Sequence, residues 1–197
     1  MKTAETLREK CLGEALNLIA ENGIERLSLR DVARRLSVSH QAPYKHFSSR
    51  DHLLAVASGR AYQALGKAIK SRPASSDPAT DLYEIGRAYL DFARQNPVHY
   101  RLLFAMDQAE LESYPDSHAQ VAIAQDELKG AIRRLTQVQD PAFIEQASHF
   151  AWAAVHGLAS LNVHCSAHHD PGAEAASLSY ICSAIEAQAV RFAAQNS

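Results

Sequence analysis

The sequence has few cysteines and no long apolar run, and both absences exclude broad classes of protein. Its three cysteines, Cys11, Cys165 and Cys182, are an odd number without C-x-x-C spacing, so we expect reduced thiols instead of a disulfide framework. No uninterrupted apolar stretch approaches the roughly 20 residues that span a bilayer. The first ten residues, MKTAETLREK, also lack the apolar core of a secretory signal. We therefore expect a cytoplasmic protein that does not bind or span a membrane.

Sequence motifs of common enzyme classes are missing as well. The chain contains no H-E-x-x-H, no P-loop, no G-x-S-x-G and no glycine-rich nucleotide loop. We therefore predict that it is not an enzyme and that it needs no cofactor. With 47% hydrophobic and 21% charged residues, it has the composition of a folded protein.

Apolar residues recur at three- and four-residue steps, and no strand-like alternation of useful length occurs, so we predict an all-α fold. Gly23 marks the end of a first helix over 3–22. The dipeptides Asn96-Pro97, Asp140-Pro141 and Asp170-Pro171 each combine a capping side chain with a proline suited to the first helical position. The later predicted helices are 49–70, 80–95, 97–106, 117–138, 141–168 and 171–195, with a loop over 110–115.

The segment 28–51, SLRDVARRLSVSHQAPYKHFSSRD, has the spacing of a helix-turn-helix. Ser28 is placed to cap a helix, and Asp31 can complete an acidic form of the capping box. Four apolar residues then share one helical face: Leu29, Val32, Ala33 and Leu36. Val38 lies in the turn, and Ser39 is a second capping candidate. We therefore predict a second short helix from Ser39 to Phe47.

Residues 1–54 resemble the DNA-binding domain of the TetR family of bacterial transcription regulators, most specifically in YKHFSSRDHLL. The resemblance implies a three-helix helix-turn-helix domain over 1–48. It implies phosphate contacts by five residues, which are Ser28, Ser39, Tyr44, His46 and Arg50. It implies that His40, Gln41 and Ala42 face base edges, and Lys45 beside them completes the predicted DNA-binding set.

The chain departs from the family pattern at two positions. Ser37 stands where glycine is common, so we expect backbone strain there if its φ is positive. Pro43 replaces the usual leucine, removes an N–H group and favours a helix that begins only a residue or two earlier.

The same resemblance implies that 49–197 form a helical domain that binds an effector and dimerises, with a connecting helix over 49–70 and a linker over 71–80. The family's C-terminal domain encloses a ligand cavity, for which we expect mostly apolar walls and a few polar anchors. The six candidate ligand-binding residues are Tyr89, Phe92, Tyr100, Phe104, Trp152 and His156. The segment WAAVHGL resembles a W-x-x-x-H-G signature of one C-terminal subgroup. The expected protein is a homodimeric repressor that an unidentified small-molecule effector releases from an inverted-repeat operator in double-stranded DNA.

The charge distribution is consistent with one DNA-facing end, although the net charge is only −2. Residues 1–52 carry nine Lys and Arg against seven Asp and Glu, whereas the remaining residues carry eleven against fifteen. Such a mild polarity attracts DNA only weakly, so binding would need dimerisation and shape-specific contacts as well.

Two apolar stripes near the C-terminus suit a dimer interface made of two helices from each subunit. The first comprises Ala147, Ala151, Ala154, Leu158 and Leu161, and the second comprises Leu178, Ile181, Ile185, Ala189 and Phe192. The alternative is that both stripes belong only to the core of one subunit.

A metal site is the main alternative to the regulator interpretation. His164 and His168 lie one helical turn apart, and Cys165 and His169 are close by, so these four residues could share an ion. Asp170 is the one carboxylate nearby. Under this alternative the chain is a helical metal-binding protein or metalloenzyme.

Overall fold

The computed structural model describes residues 5–164 and 170–196, with the side chains of 108 and 162–164 excepted. Within these ranges the secondary structure is helical and contains no strand, which confirms the all-α prediction. The α-helices are α1 (Leu7–Asn22), α2 (Leu29–Arg35), α3 (Arg50–Lys70), α4 (Pro78–Gln95), α5 (Pro97–Leu102), α6 (Gln108–Glu112), α7 (Pro115–Thr136), α8 (Pro141–His164) and α9 (Pro171–Gln195). Two short 3-10 helices, Ile24–Arg26 and Pro43–Lys45, flank α2.

The chain packs into two compact units. The first comprises residues up to Tyr62 together with Val98–Val121, and the second comprises Gln63–Pro97 and the residues from Ala122 onward. This grouping differs from the expected division between residues 48 and 49, because Val98–Val121 pack with the N-terminal residues and α3 contributes to both units.

A capping side chain decides where α1 begins, whereas α2 begins without one. α1 begins at Leu7 and not near residue 3, because the Thr6 hydroxyl accepts a hydrogen bond from the Glu9 N–H at 3.2 Å. It ends before Gly23, as predicted, and Gly23 has φ +83. The capping box predicted at Ser28 is wrong. The Ser28 side chain makes no cap hydrogen bond, and the Asp31 carboxylate instead accepts from the Arg34 guanidinium at 2.8 Å.

The three Asx-Pro dipeptides mark helix starts as predicted, since α5, α8 and α9 begin at their prolines. The Asp170 carboxylate, for example, accepts a hydrogen bond from the Gly172 N–H at 2.8 Å. The loop predicted over 110–115 is wrong in its first part. There the Asp107 carboxylate accepts from the Glu110 N–H at 2.7 Å and the Glu110 carboxylate accepts from the Asp107 N–H at 3.0 Å, and this capping box starts α6.

Each unit has its own apolar core. The first is built around Leu12, Ile19, Val32, Phe47 and Leu53, and the second around Leu90, Ile132, Ile144, Leu178 and Ile185. In the second unit α4, α8 and α9 pack against one another. In the described part of the chain, no helix is both long and apolar enough to cross a membrane.

Candidate functional site

The turn after α2 holds the two halves of the helix-turn-helix in a defined geometry. The Val38 N–H donates to the Ala33 carbonyl at 3.1 Å, and the Ser37 N–H donates to the Arg34 carbonyl at 3.2 Å. This is the hydrogen-bond pattern of a Schellman C-cap. Ser37 occupies its left-handed position with φ +54, which is the positive φ at which strain was expected.

The recognition segment, residues 39–47, is wound differently from the predicted α-helix. Residues 40–42 form a turn, and Pro43–Lys45 form a 3-10 helix whose N-cap is Ala42 and not Ser39. The Ala42 N–H donates to the Ser39 carbonyl at 2.9 Å. Pro43 has no N–H and so cannot add the next helical bond. Because Pro43 and Phe47 are buried, the segment is nevertheless anchored to the core.

Most of the predicted DNA-binding side chains lie on the outer side of this segment. The exposed ones are Ser39, His40, Gln41, Tyr44 and Lys45, whereas Ala42 and His46 are half-buried. Tyr44 is 43% exposed, which is unusual for a large aromatic residue next to a core and leaves its hydroxyl accessible to a partner.

Four side chains border one concave surface of about 410 Å³, which we call the Arg30 groove: Arg30, His40, Gln41 and Tyr44. Arg30 comes from α2, and the other three come from the recognition segment. The sequence did not single out Arg30, because helical periodicity places it on the same polar side of α2 as two other arginines. Its convergence with Gln41 depends on the turn between them.

Those two other arginines are neutralised within the protein. Arg34 pairs with Asp31 at 2.8 Å, and Arg35 pairs with Glu14 at 3.1 Å and also with Glu21. The hydrogen bond from Arg35 lowers the pKa of Glu21, so that carboxyl stays ionised. These pairs weaken the attraction that Arg34 and Arg35 would otherwise exert on a phosphate.

Two predicted phosphate contacts lie away from the groove. Arg50 donates from Nη2 to the Ile24 carbonyl at 2.8 Å and from Nε to the Leu27 carbonyl at 3.2 Å. Its guanidinium therefore supports the chain before α2. Ser28 is half-buried at the start of α2.

Contacts between aromatic rings anchor the end of the recognition segment at Phe47. The Phe47 ring meets the His52 ring edge-on at 5.8 Å, and His52 stacks on Tyr114 at 5.6 Å. The Arg8 guanidinium lies 5.5 Å from the centre of the Phe47 ring. The Ser48 N–H donates to Nδ1 of His52 at 3.1 Å, which fixes the turn that leads into α3.

The second unit contains a cavity with apolar walls. Its lining residues include Leu82, Ile85, Tyr89, Leu128, Trp152 and Leu178, and its free space is about 30 Å³. The Tyr89 and Trp152 rings meet edge-on with centroids 5.5 Å apart. These two are the predicted ligand-binding residues that line this cavity.

The other four predicted ligand residues are not among the residues that line this cavity. Phe92 is buried on α4, and His156 is half-buried on α8, where burial lowers its pKa. Tyr100 and Phe104 belong to the first unit, where their rings meet at 5.8 Å. Burial raises the pKa of Tyr100 to about 12, whereas Phe104 is 44% exposed. The aliphatic residues that line the cavity were missed because they look like ordinary core in the sequence.

The last two helices also present exposed apolar side chains, which are Phe150, Leu161, Tyr180 and Val190. A groove of about 410 Å³ beside Phe150 is lined by Phe143, Ala147, Ile185, Gln188 and Phe192, among others. Of the predicted stripe on α9, Ile185 and Phe192 line this groove, but most of the stripe packs within the subunit. Its residues Leu178, Ile185 and Ala189 are buried within the subunit, as the core alternative expects.

The proposed metal cluster cannot be placed in the structure, because Cys165, His168, His169 and the side chain of His164 lie outside the described residues. Elsewhere in the described ranges, no group of three or more His, Cys, Asp or Glu side chains could hold a metal ion.

Comparisons with known proteins identify the family in both parts of the chain. Residues 12–57 match the family described as bacterial regulatory proteins of the tetR family, and residues 82–185 match the tetracyclin repressor-like C-terminal domain. The HTH-type transcriptional regulator Rv1816 of Mycobacterium tuberculosis is 29% identical over 121 residues, which are 60% of this chain and 52% of the relative. Mb1846 of Mycobacterium bovis gives the same values. The chain thus spans about half the length of the curated relatives it matches.

Solved structures show the same fold at low identity. A transcriptional regulator from Rhodococcus sp. RHA1 has a TM-score of 0.69 and 23% identity, with 91% of this chain and 96% of that chain covered. The TetR-family regulator PfmR from Thermus thermophilus has a TM-score of 0.60 and 20% identity, with 87% and 94% covered. Since the C-terminal match alone extends over more than half of the sequence, the chain belongs to the TetR family of transcription regulators, with a helix-turn-helix DNA-binding domain at its N-terminus.

Proposed function

We propose that the chain is a homodimeric repressor that binds an inverted-repeat operator and leaves it when a small-molecule effector binds in the second unit. The observation that carries this proposal is the Arg30 groove, in which polar side chains of α2 and the recognition segment converge on an exposed surface. Such a regulator would act in the bacterial cytoplasm.

The chemistry of the Arg30 groove suits base recognition. An arginine guanidinium can donate two hydrogen bonds to guanine O6 and N7, and a glutamine amide can pair with adenine N6 and N7. We infer that Arg30 and Gln41 each read a base in the major groove, with His40 beside them. Ala42 offers only its methyl group, which fits an apolar contact with thymine.

Phosphate contacts would come from the rim of the groove. The exposed hydroxyls of Ser39 and Tyr44, the Lys45 ammonium and the His46 ring are candidates, and Ser28 adds one from the start of α2. We assign Arg50 a positioning role, since its guanidinium is bonded to two backbone carbonyls. Phosphate contacts set the orientation of the protein on DNA and the salt dependence of binding, but they do not set the sequence preference.

Dimerisation would use the exposed apolar face of α8 and α9. Phe150, Leu161, Tyr180 and Val190, two from each helix, are between 45% and 76% exposed, and burying their apolar surface between two subunits would stabilise a dimer. One recognition segment reads too few bases to be specific alone. Two segments about 34 Å apart reach successive major grooves on one side of the duplex.

Effector release requires that the effector bind more tightly to a dimer whose recognition segments are wrongly spaced. A coupling free energy of roughly 1–3 kcal/mol weakens DNA binding about 5- to 150-fold. The cavity beside Tyr89 and Trp152 is the site that we assign to the effector.

Selection of bound fragments from random DNA tests this proposal. We expect the wild-type protein to enrich an inverted repeat, Gln41→Ala to change the preferred base at one position of each half-site, and Tyr44→Phe to weaken binding to all sequences. Gln95→Ala removes an exposed glutamine from α4 in the other unit and is the matched control.

Three outcomes would contradict the proposal. Failure to enrich any sequence would refute sequence-specific DNA binding. Enrichment of a single half-site would refute binding as a homodimer to an inverted repeat. An unchanged base preference in the Gln41→Ala variant would refute the assignment of base recognition to the Arg30 groove.

A further inference from the structure

The cavity of the second unit has no ionised side chain among its described lining residues. Its lining residues are mostly aliphatic and aromatic, and those with a polar side-chain atom are Tyr83, Tyr89, Trp152 and Cys182. Burial is the main cause that raises the pKa of Cys182 to about 11, so this thiol is uncharged at neutral pH. An ionised ligand would therefore find no opposite charge in the wall.

Several charged side chains of this unit pair with one another and do not line the cavity, although the Glu186 charge acts on the Cys182 thiol. The carboxylate of Asp81 pairs with Arg72 at 2.8 Å and with Arg134 at 2.6 Å. Arg94 likewise pairs with Glu174 at 2.7 Å. Because a buried ion without a partner is strongly unfavourable, these walls select against organic anions and cations.

The size of the cavity limits its occupant. Its free space of about 30 Å³ has room for about two water molecules, whereas an apolar cavity of about 150 Å³ accommodates benzene. A ligand must therefore displace part of the wall, and displacing one side chain admits only a small molecule.

Leu178 is a buried wall residue that packs directly over a glycine. Its side chain from α9 fills the space over Gly86 on α4, and a Cβ built on Gly86 would lie 2.7 Å from Cδ2 of Leu178. Because Gly86 carries no side chain, the leucine end can occupy this space or leave it to a ligand. The edge-on pair of Tyr89 and Trp152, with centroids 5.5 Å apart, borders the same cavity.

We infer that the effector is an uncharged molecule about the size of a single aromatic ring, which takes the place of the Leu178 side chain over Gly86 and packs against Tyr89 and Trp152. This inference rests on the proposed function, since it names the ligand class of the effector site. Rings favour edge-on and offset contacts with other rings, which this pair provides.

Trp152 is the only tryptophan of the chain, so its fluorescence reports on the cavity directly. The probes are benzyl alcohol, benzoate and benzylammonium, which share one ring and differ in charge. We expect benzyl alcohol to change the emission saturably, and the two ions to need at least a hundredfold higher concentration. Equal or tighter binding of either ion would overturn the inference.

Two glycine variants test the location. Gly86→Ala keeps Leu178 out of its place over α4 and pushes it into the cavity, so benzyl alcohol should bind at least tenfold more weakly. Gly157→Ala on α8 is the control, because a Cβ there meets nothing within 4 Å, and its affinity should equal that of the wild type. Unchanged affinity in a folded Gly86→Ala protein would overturn the location. If that variant does not fold, the charge series on the wild-type protein decides the inference.

DNA binding by the same wild-type preparation separates the two proposals. A protein that enriches an inverted repeat but binds none of the probes refutes this inference alone. A protein that binds benzyl alcohol but enriches no DNA refutes the proposed function while the ligand class stands.

Discussion

Asp81 offers the sharpest test of what stabilises the second unit. Its carboxylate is 9% exposed and accepts from the Arg72 guanidinium at 2.8 and 2.9 Å and from the Arg134 guanidinium at 2.6 Å. The Arg72 side chain is 11% exposed, whereas that of Arg134 is 54% exposed. Asp81→Asn keeps the volume but removes the charge, and it leaves Arg72 with Glu127 at 3.3 Å as its remaining carboxylate partner.

We expect Asp81→Asn to lower the free energy of unfolding by about 3 kcal/mol, because breaking the buried pair leaves the Arg72 charge with only the longer contact to Glu127. Arg134→Ala should lower it by about 1 kcal/mol or less, since water screens an exposed pair. Urea denaturation followed by circular dichroism measures both values. In thermal unfolding the Asn variant should melt roughly 6–12 °C lower than the wild type. Equal losses in the two variants would refute the idea that burial sets the strength of this cluster.

The pH dependence gives an independent check on Asp81. Burial raises the pKa of this carboxyl, but the hydrogen bonds and charges of Arg134 and Arg72 outweigh that effect, so the pKa is lowered. A lowered pKa means that the contribution to stability is present above the unfolded value of about 3.9 and is lost as the pH falls through the folded value. The stability gap between wild type and Asp81→Asn should therefore stay constant at neutral pH and narrow as the pH falls below about 5. A gap that does not narrow there would contradict the ionised state that we assign.

Three further variants test other features. Ser37→Gly should raise the free energy of unfolding by about 1 kcal/mol in urea denaturation, because glycine relieves the positive φ, and a loss of stability would contradict the strain at this turn. Arg30→Ala should weaken operator binding more than Arg34→Ala, because Arg34 is already paired with a carboxylate. Fluorescence anisotropy titrations measure both affinities, and equal effects would contradict the assignment of base recognition to the Arg30 groove. Gly59→Ala should destabilise by about 1–3 kcal/mol, because the added methyl would lie 3.0 Å from the backbone of α7, whereas Gly13→Ala has open space and should not destabilise.

Local chemistry made several features predictable from the sequence. The start of α8 at Pro141 and the end of α1 before Gly23 depend on residues within one turn of the boundary. The strain at Ser37 was predictable for the same reason. Where the predictions failed, a neighbour along the chain offered a competing bond, as when Arg34 took the Asp31 carboxylate that was expected to complete the cap of α2.

Contacts between distant residues decided the sites. The winding of the recognition segment follows from the missing N–H of Pro43 and from the burial of Phe47. Arg30 joins Gln41 only because the turn between them directs both to one side. The cavity residue Leu178 was assigned to a dimer stripe, since periodicity gives the direction of a helix face but not what covers it.

The order of the residues was enough to establish the all-α class, most helix boundaries and the helix-turn-helix, because these depend on capping, proline geometry and periodicity within a few residues. Packing between helices settled which side chains converge in the Arg30 groove, which arginines are neutralised and which apolar residues enclose a cavity. Those properties depend on distances between helices that are far apart in the chain, and the free energy of packing, not local propensity, sets such distances.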